Sequence, residues 1–330
     1  MRVRRGSRRL TVAMQDFLLD PAERLTEQER ALMTGMLHGL VKRLADEVRV
    51  RLPAGLAVAS ECDPALVVAE LARSGLLARP ELFALLLRRT DTVRIAEAAG
   101  PAASGQAGQL LLQQWAADKD EGVAGAAMAV VLGRAAARDR FGRLALELAD
   151  CPADVAVDLT YGVAAALARR CGQGSAEELV AAGVDVLARH DEGQRLEALE
   201  ARLVLALDQA GRLDSAAIQA LANAGEVCLL AEALARLARI PGESAWPLLA
   251  DPGDGRLALL LRMAGQPRAL VANLFVRLAI PLGLRDPARE IESFDRIAEA
   301  QADSARTSFR LPPAYLAAAT ALDEHGQPIA

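Results

Sequence analysis

His190, Asp191 and Glu192 stand side by side, a histidine and two carboxylates that together could suggest a metal site. At the end of a helix the same residues serve as a cap and as solvated charges, since a cationic histidine suits the negative end of the helix dipole. We adopt the cap reading. His38 lies inside a helix between Leu37 and Gly39, as a half-buried structural residue, and His325 lies in a polar tail. No His-Glu-x-x-His occurs, and no Ser or Cys sits in a nucleophile elbow. Gly172-Gln173-Gly174-Ser175 precedes a helix, where N-terminal amides attract phosphate. However, no strand leads into it, no Lys follows, and Glu177 and Glu178 would repel the anion, so it reads as a linker. Trp115 and Trp246 fall among leucines at helical spacing and read as core. The expectation is a protein that is not an enzyme, with no catalytic residue, cofactor or metal.

One stretch has a definite electrostatic character. Arg2, Arg4, Arg5, Arg8 and Arg9 crowd the start of the chain without an acid among them, a candidate polyanion contact. Taking these five charges from the net −5 leaves −10 on the rest. That acidic body, and the lack of aromatics between the arginines, make nucleic acid the less favoured partner.

These residues must be positioned by helices. Apolar residues make up 52% of the chain and aromatics only 3%, so the core is built from Leu, Ala and Val, and Ala and Leu are strong helix formers. No stretch of β-branched or aromatic residues alternates with period two, and the class is all-α. Cys62, Cys151, Cys171 and Cys228 are scattered, and a chain this long needs no staples, so reduced thiols in the cytoplasm are expected. The longest uncharged run, residues 98–117, holds Gly, Pro, Ser and four Gln and spans no membrane.

In order, the pattern predicts a short helix over 10–19, then a long one from Thr26, where Glu29 completes a capping box. Gly35 and Gly39 on that helix predict close approach of a neighbour. Asp46-Glu47-Val48-Arg49, a proline kink at Pro53 and a second helix opened by Asp63-Pro64 and stopped by Gly75 resemble a HEAT-type unit. Separate helices are expected from Pro80 and from Asp91, and then over 104–117, 120–137, 139–149 and 152–170. Ser175 and Glu178 suggest a second capping box. Further helices are expected over 176–190, 196–207, 215–223, 287–302 and 313–322. Between residues 223 and 287 lies a strongly apolar stretch: Val227, Leu230, Leu234 and Leu237 form one stripe, Leu257, Leu260 and Leu261 a second, and Leu270, Leu274, Phe275 and Leu278 a third. Pro241-Gly242 ends the helix that carries the first stripe.

A helix every ~15–20 residues is the mark of stacked helical pairs. Residues 63–98, with a Leu-rich helix after a Leu-x-x-Ser, and residues 233–267, with a helix, short turn, helix and Ala-Gly, resemble an uncharacterised bacterial family, domain of unknown function 2336. The resemblance implies a HEAT-like helical fold and transfers no catalytic residue. The expected architecture is all-α: degenerate HEAT-like repeats forming an α-solenoid or superhelix, with the second half open to a more compact bundle. Its divisions are a basic arm and short helix (1–24), an N-terminal repeat region (25–171), a C-terminal helical region (172–322) and a polar tail (323–330). The favoured function is a non-enzymatic protein–protein interaction scaffold or regulatory adaptor. The alternatives are a helical-repeat nucleic-acid binder using the basic arm, and an enzyme or sensor with an unrecognised site.

Overall fold

The computed structural model describes residues 25–99, 106–139, 141–171 and 175–312, together with 315 and 318. Among these, all regular structure is helical. Helix α1 (Glu27–Val50) opens with the expected capping box: the Glu29 amide donates to Thr26 Oγ1 at 3.2 Å, and the Thr26 amide to Glu29 Oε2 at 2.7 Å. The helix stops at Val50, so Pro53 kinks nothing; it caps the short α2 (Ala54–Ala59). In α3 (Pro64–Ser74) the Ala65 amide donates to the Asp63 carboxylate at 2.9 Å, and Gly75 ends the helix at φ 83°. Helix α4 (Pro80–Ala99) is continuous where two helices were expected. Nothing between Arg89 and Asp91 breaks it, and the Thr90 hydroxyl simply donates back to the Leu86 carbonyl.

Helices α5 (Gln106–Ala116) and α6 (Glu121–Ala136) follow. The helix expected over 139–149 does not form. Asp139 Oδ1 accepts from the amides of Phe141 (2.8 Å) and Arg143 (2.9 Å), a side-chain turn that competes with helix, and Gly142 adopts φ 74°. Next come α7 (Ala153–Cys171) and α8 (Ala176–Leu187). The Ser175 side chain makes no capping bond, so the second capping box is absent. The remaining helices are α9 (Leu196–Gln209), α10 (Ser215–Asn223), α11 (Val227–Ala238), α12 (Gly242–Ala250), α13 (Arg256–Met263), α14 (Arg268–Leu282), α15 (Pro287–Arg296) and α16 (Glu299–Phe309). The single helix expected over 287–302 is two. The chain turns out of helix at Ile297 (ψ 111°), which lets both Phe294 and Ala302 reach the core. The short helix over 10–19 lies outside the described residues, as does nearly all of 313–322.

The apolar core falls into two clusters. The first joins α1, α3, the start of α4 (Leu82, Leu85, Leu86), α7 and α8. The second takes Ile95 from the far end of α4, then α5, α6 and α9 to α14, with Phe294 and Ala302. Helices α7 and α8 flank the glycine-rich stretch at 172–174, which is outside the described residues, and both belong to the first cluster. All three predicted stripes are buried apart from Leu237, which is partly covered. Helix α11 goes further: every residue from Val227 to Ala235 is buried, so it is enclosed on all sides.

Units in a stacked solenoid touch only their neighbours. Here α4 also packs on α14, and α1 on α7 and α8, so the fold has long-range contacts that a neighbour-only stack lacks. The close approach expected at Gly35 and Gly39 is not there. A methyl group on Gly35 would meet nothing within 4 Å, and one on Gly39 would meet only the helix's own Arg43 guanidinium at 3.4 Å. Close approaches occur instead at Gly108, Gly133 and Gly242.

Candidate functional site

Two arginines sit where α4 crosses from one core to the other, and a chain of alternating charges grows from them. Arg89 Nη2 lies 3.3 Å from Asp150, and its Nη1 lies 2.8 Å from Glu197 on α9. Arg88 faces Glu197 (3.8 Å), Glu200 of α9 (3.6 Å) and Glu232 of α11 (3.3 Å). Arg134 of α6 then joins Glu200 (3.1 Å) to Glu226 (2.7 Å). The Arg88 guanidinium also stacks over the Trp246 ring of α12, 5.0 Å from its centre. Except for Arg134, Asp150 and Glu197, these charged residues are buried.

Two glycines make room for two of the carboxylates. A methyl on Gly242, the first residue of α12, would overlap the Glu232 carboxylate, whose Cδ is only 2.6 Å away. A methyl on Gly108, in the first turn of α5, would collide with Glu226 in the same way. Each glutamate therefore lies against a helix N-terminus, where unpaired amides favour negative charge. Pro241-Gly242 thus does more than stop a helix, because it opens the space that Glu232 fills.

Three guanidinium groups face five carboxylates, and the imbalance shows in their titration. Burial pushes Glu200 up, and Arg134 and Arg88 do not offset it; burial also raises Glu232, against Arg88. Glu197 goes the other way: burial opposes its charge, but Arg89 and Arg88 hold it below the ordinary carboxylate range. Burial works against the charge of Arg88 too, but Glu197, Glu200 and Glu232 keep it firmly protonated. Burial pushes the Cys228 thiol up to about 12, so it is neutral near pH 7 and hydrogen-bonded with Thr92 at 3.4 Å. A cavity of ≈ 210 Å³ opens on Arg89, Arg134, Glu200, Glu226 and Cys228. These ion pairs tie α4 to α9, to α11 and to the turn that carries Asp150.

The residues flagged in the sequence have other duties. His190 Nε2 is 2.9 Å from the Cys151 carbonyl, to which it donates; the Gly193 amide donates to Asp191 (2.8 Å), and the Ala153 amide at the start of α7 to Glu192 (2.7 Å). Each of the three thus ties down a turn or helix end. Among the described residues no group of three or more His, Cys, Asp or Glu side chains is placed to hold a metal ion. His38 is partly buried on α1, Trp115 and Trp246 are buried, and all four cysteines are free. Arg2, Arg4, Arg5, Arg8 and Arg9 lie outside the described residues. No described helix is long and apolar enough to cross a membrane.

On the outside, the α7–α8 pair carries an apolar ridge. Val157 and Tyr161 of α7 are 41% and 38% exposed, and Val180 and Val184 of α8 are each 49% exposed. The two helices meet at Gly183, where a methyl group would be in ordinary contact with the Tyr161 ring at 3.6 Å. Glu177 and Asp185 are exposed along α8, which carries no basic residue, whereas Asp154 and Asp158, which flank Val157 on α7, are both paired with Arg79.

These features define an all-α protein whose two apolar cores are joined through a buried ion-pair network. The chain belongs to the family described as an uncharacterised protein conserved in bacteria, DUF2336, whose model matches residues 109–310. That match takes in α6 to α16, including Arg134, every carboxylate of the network and the α7–α8 ridge. No curated protein and no solved structure matches the chain.

Proposed function

We propose that the protein is an interaction scaffold that docks a basic amphipathic helix of a partner protein on the α7–α8 ridge. The observation that carries this is the exposed row of Val157, Tyr161, Val180 and Val184. Contiguous exposed apolar side chains with a polar rim are typical of interaction sites, and two adjacent helices offer a groove for a third. The acidic rim of Glu177 and Asp185 favours a partner carrying Lys or Arg beside its apolar face. The buried charge network supports the reading indirectly, since a rigid joint keeps the ridge fixed relative to the second core.

A photo-crosslinking residue at position 180, compared with one at the exposed Glu292 on α15, tests this in the native cell. A partner captured at 180 and not at 292 is purified, and its affinity is measured for the wild type and for Val180→Glu and Tyr161→Glu. The expected loss is tenfold or more, at unchanged thermal stability. Equal affinity for the variants overturns the proposal, as does crosslinking at 180 only to residues 1–24 of this chain or to a second copy.

A further inference from the structure

A different corner of the molecule gathers arginines that the sequence scatters. Arg236 lies in the last turn of α11, Arg239 just after it, and Arg306 and Arg310 at the end of α16. Two depressions of ≈ 600 and 660 Å³ meet here and share Leu237, Arg239 and Arg310. Asp208 and Asp303 line them too, but each is already paired, with Arg236 Nε at 2.7 Å and with Arg306 Nη1 respectively. Arg306 is spent, since its Nε and Nη2 donate to the Met263 carbonyl at 3.0 and 2.8 Å. Arg310 Nε donates to the Arg239 carbonyl at 2.9 Å, which draws the two residues together. The Nη groups of Arg236 and Arg310, and the whole Arg239 guanidinium, have no carboxylate partner among the described residues.

The backbone gives an independent sign. Arg239 holds the left-handed conformation (φ 58°) at a helix C-cap, where glycine is the unstrained choice. Of the nine left-handed positions among the described residues, seven are glycine; only Arg239 and Asp254 are not. Strain kept at a residue that a glycine would relieve points to a use for its side chain. A carboxylate has two oxygens and cannot serve the open Arg239 guanidinium together with the Nη groups of Arg236 and Arg310, whereas a phosphoryl group presents three terminal oxygens in the geometry that arginine matches. No aromatic ring is among the described lining residues, so nothing there stacks a base.

We propose that Arg236, Arg239 and Arg310 form a binding site for a phosphoryl group, distinct from the apolar ridge and from the buried network. The test is calorimetric titration of the whole chain with inorganic phosphate and, separately, with methyl phosphate, each against sodium acetate at matched ionic strength. Saturable binding of either phosphate, absent with acetate, is expected for the wild type; the two arms tell free phosphate from a monoester. Arg239→Gly removes the fork and relieves the backbone, so it should fold at least as stably as the wild type and bind at least tenfold more weakly. Arg236→Gln should weaken binding in the same sense, and Arg296→Gln, on α15, should not. Unchanged binding by a folded Arg239→Gly protein overturns the site, as does an acetate response equal to that of both phosphates.

Discussion

Replacing Arg88 with methionine tests the joint most directly. The substitution keeps the apolar stem but removes the charge that faces Glu232 at 3.3 Å, Glu200 at 3.6 Å and Glu197 at 3.8 Å. Glu197 retains Arg89 and Glu200 retains Arg134, so their loss is partial. Glu232 retains no cation, only the N-terminus of α12. Leaving one member of a buried pair without its partner costs about 3–5 kcal/mol, and loss of a desolvated stack on Trp246 adds up to about 2 kcal/mol. Against a total stability of about 5–15 kcal/mol, this removes a large share. Urea unfolding followed by tryptophan fluorescence reads it well, because Trp246 lies beneath the altered side chain. Adding Glu232→Gln to Arg88→Met removes the stranded charge, so the double variant should recover about 1–3 kcal/mol. A loss below about 1 kcal/mol in the single variant, or no recovery in the double, would show that the ion pair does not hold the cores together.

The glutamates should respond to pH in opposite senses. Glu200 has a raised pKa in the fold, so between the ordinary carboxylate value and the raised one the folded state binds more protons and loses stability as pH rises. Glu200→Gln should therefore gain on the wild type as urea midpoints are followed from about pH 4 to pH 7. Glu197, held low, contributes stability that is full above the ordinary carboxylate value and is lost as pH falls from there through its folded pKa, so Glu197→Gln should cost more at pH 7 than at about pH 3; parallel profiles for both variants would refute these assignments. Gly242→Ala should destabilise by about 1–3 kcal/mol despite alanine's better propensity, because Glu232 must leave Arg88 to make room. Gly35→Ala should instead raise the melting temperature, worth up to about 1 kcal/mol, since nothing stands near it; a fall there would mean a neighbour packs on that face. Leu230→Asp places a carboxylate at a fully buried position and should unfold the second core; an unchanged melting curve would contradict the burial of α11.

The helical class and most helix starts were legible because they depend on local chemistry: the Thr26–Glu29 box, the Asp63-Pro64 start and the Gly75 stop each act within a few residues. Residues 139–149 misled because their alanines and leucines promise a helix, while a single aspartate side chain captures the amides that the helix would need. The ion-pair network was not legible as a network, since Arg88, Arg134, Glu200 and Glu232 are brought together only by packing. Its trace in the sequence was the presence of charges on core faces. Glu200 follows Leu196 by four residues and precedes Leu203 and Val204, and Glu232 sits between Leu230 and Leu234. The arginine corner left less, as Arg239 and Arg310 are ordinary surface residues until the backbone angle of the first is known.

The interleaving of the two cores bears on how the protein is made. The first core takes residues between Met33 and Leu86, but also from Leu146 to Val186, so its early half is completed only after roughly 100 further residues. At about 5–20 residues per second that is on the order of 5–20 s. During this interval α1, α3 and the start of α4 have only one another to pack on, without α7 and α8, and α5 and α6 emerge before α9 and α10, which pack on them. A fragment beginning at residue 109, where the family match begins, would meet the reverse problem: α7 and α8 would have no α1 to cover them. The interleaving of the two cores means that a cut between α4 and α7 divides the first one.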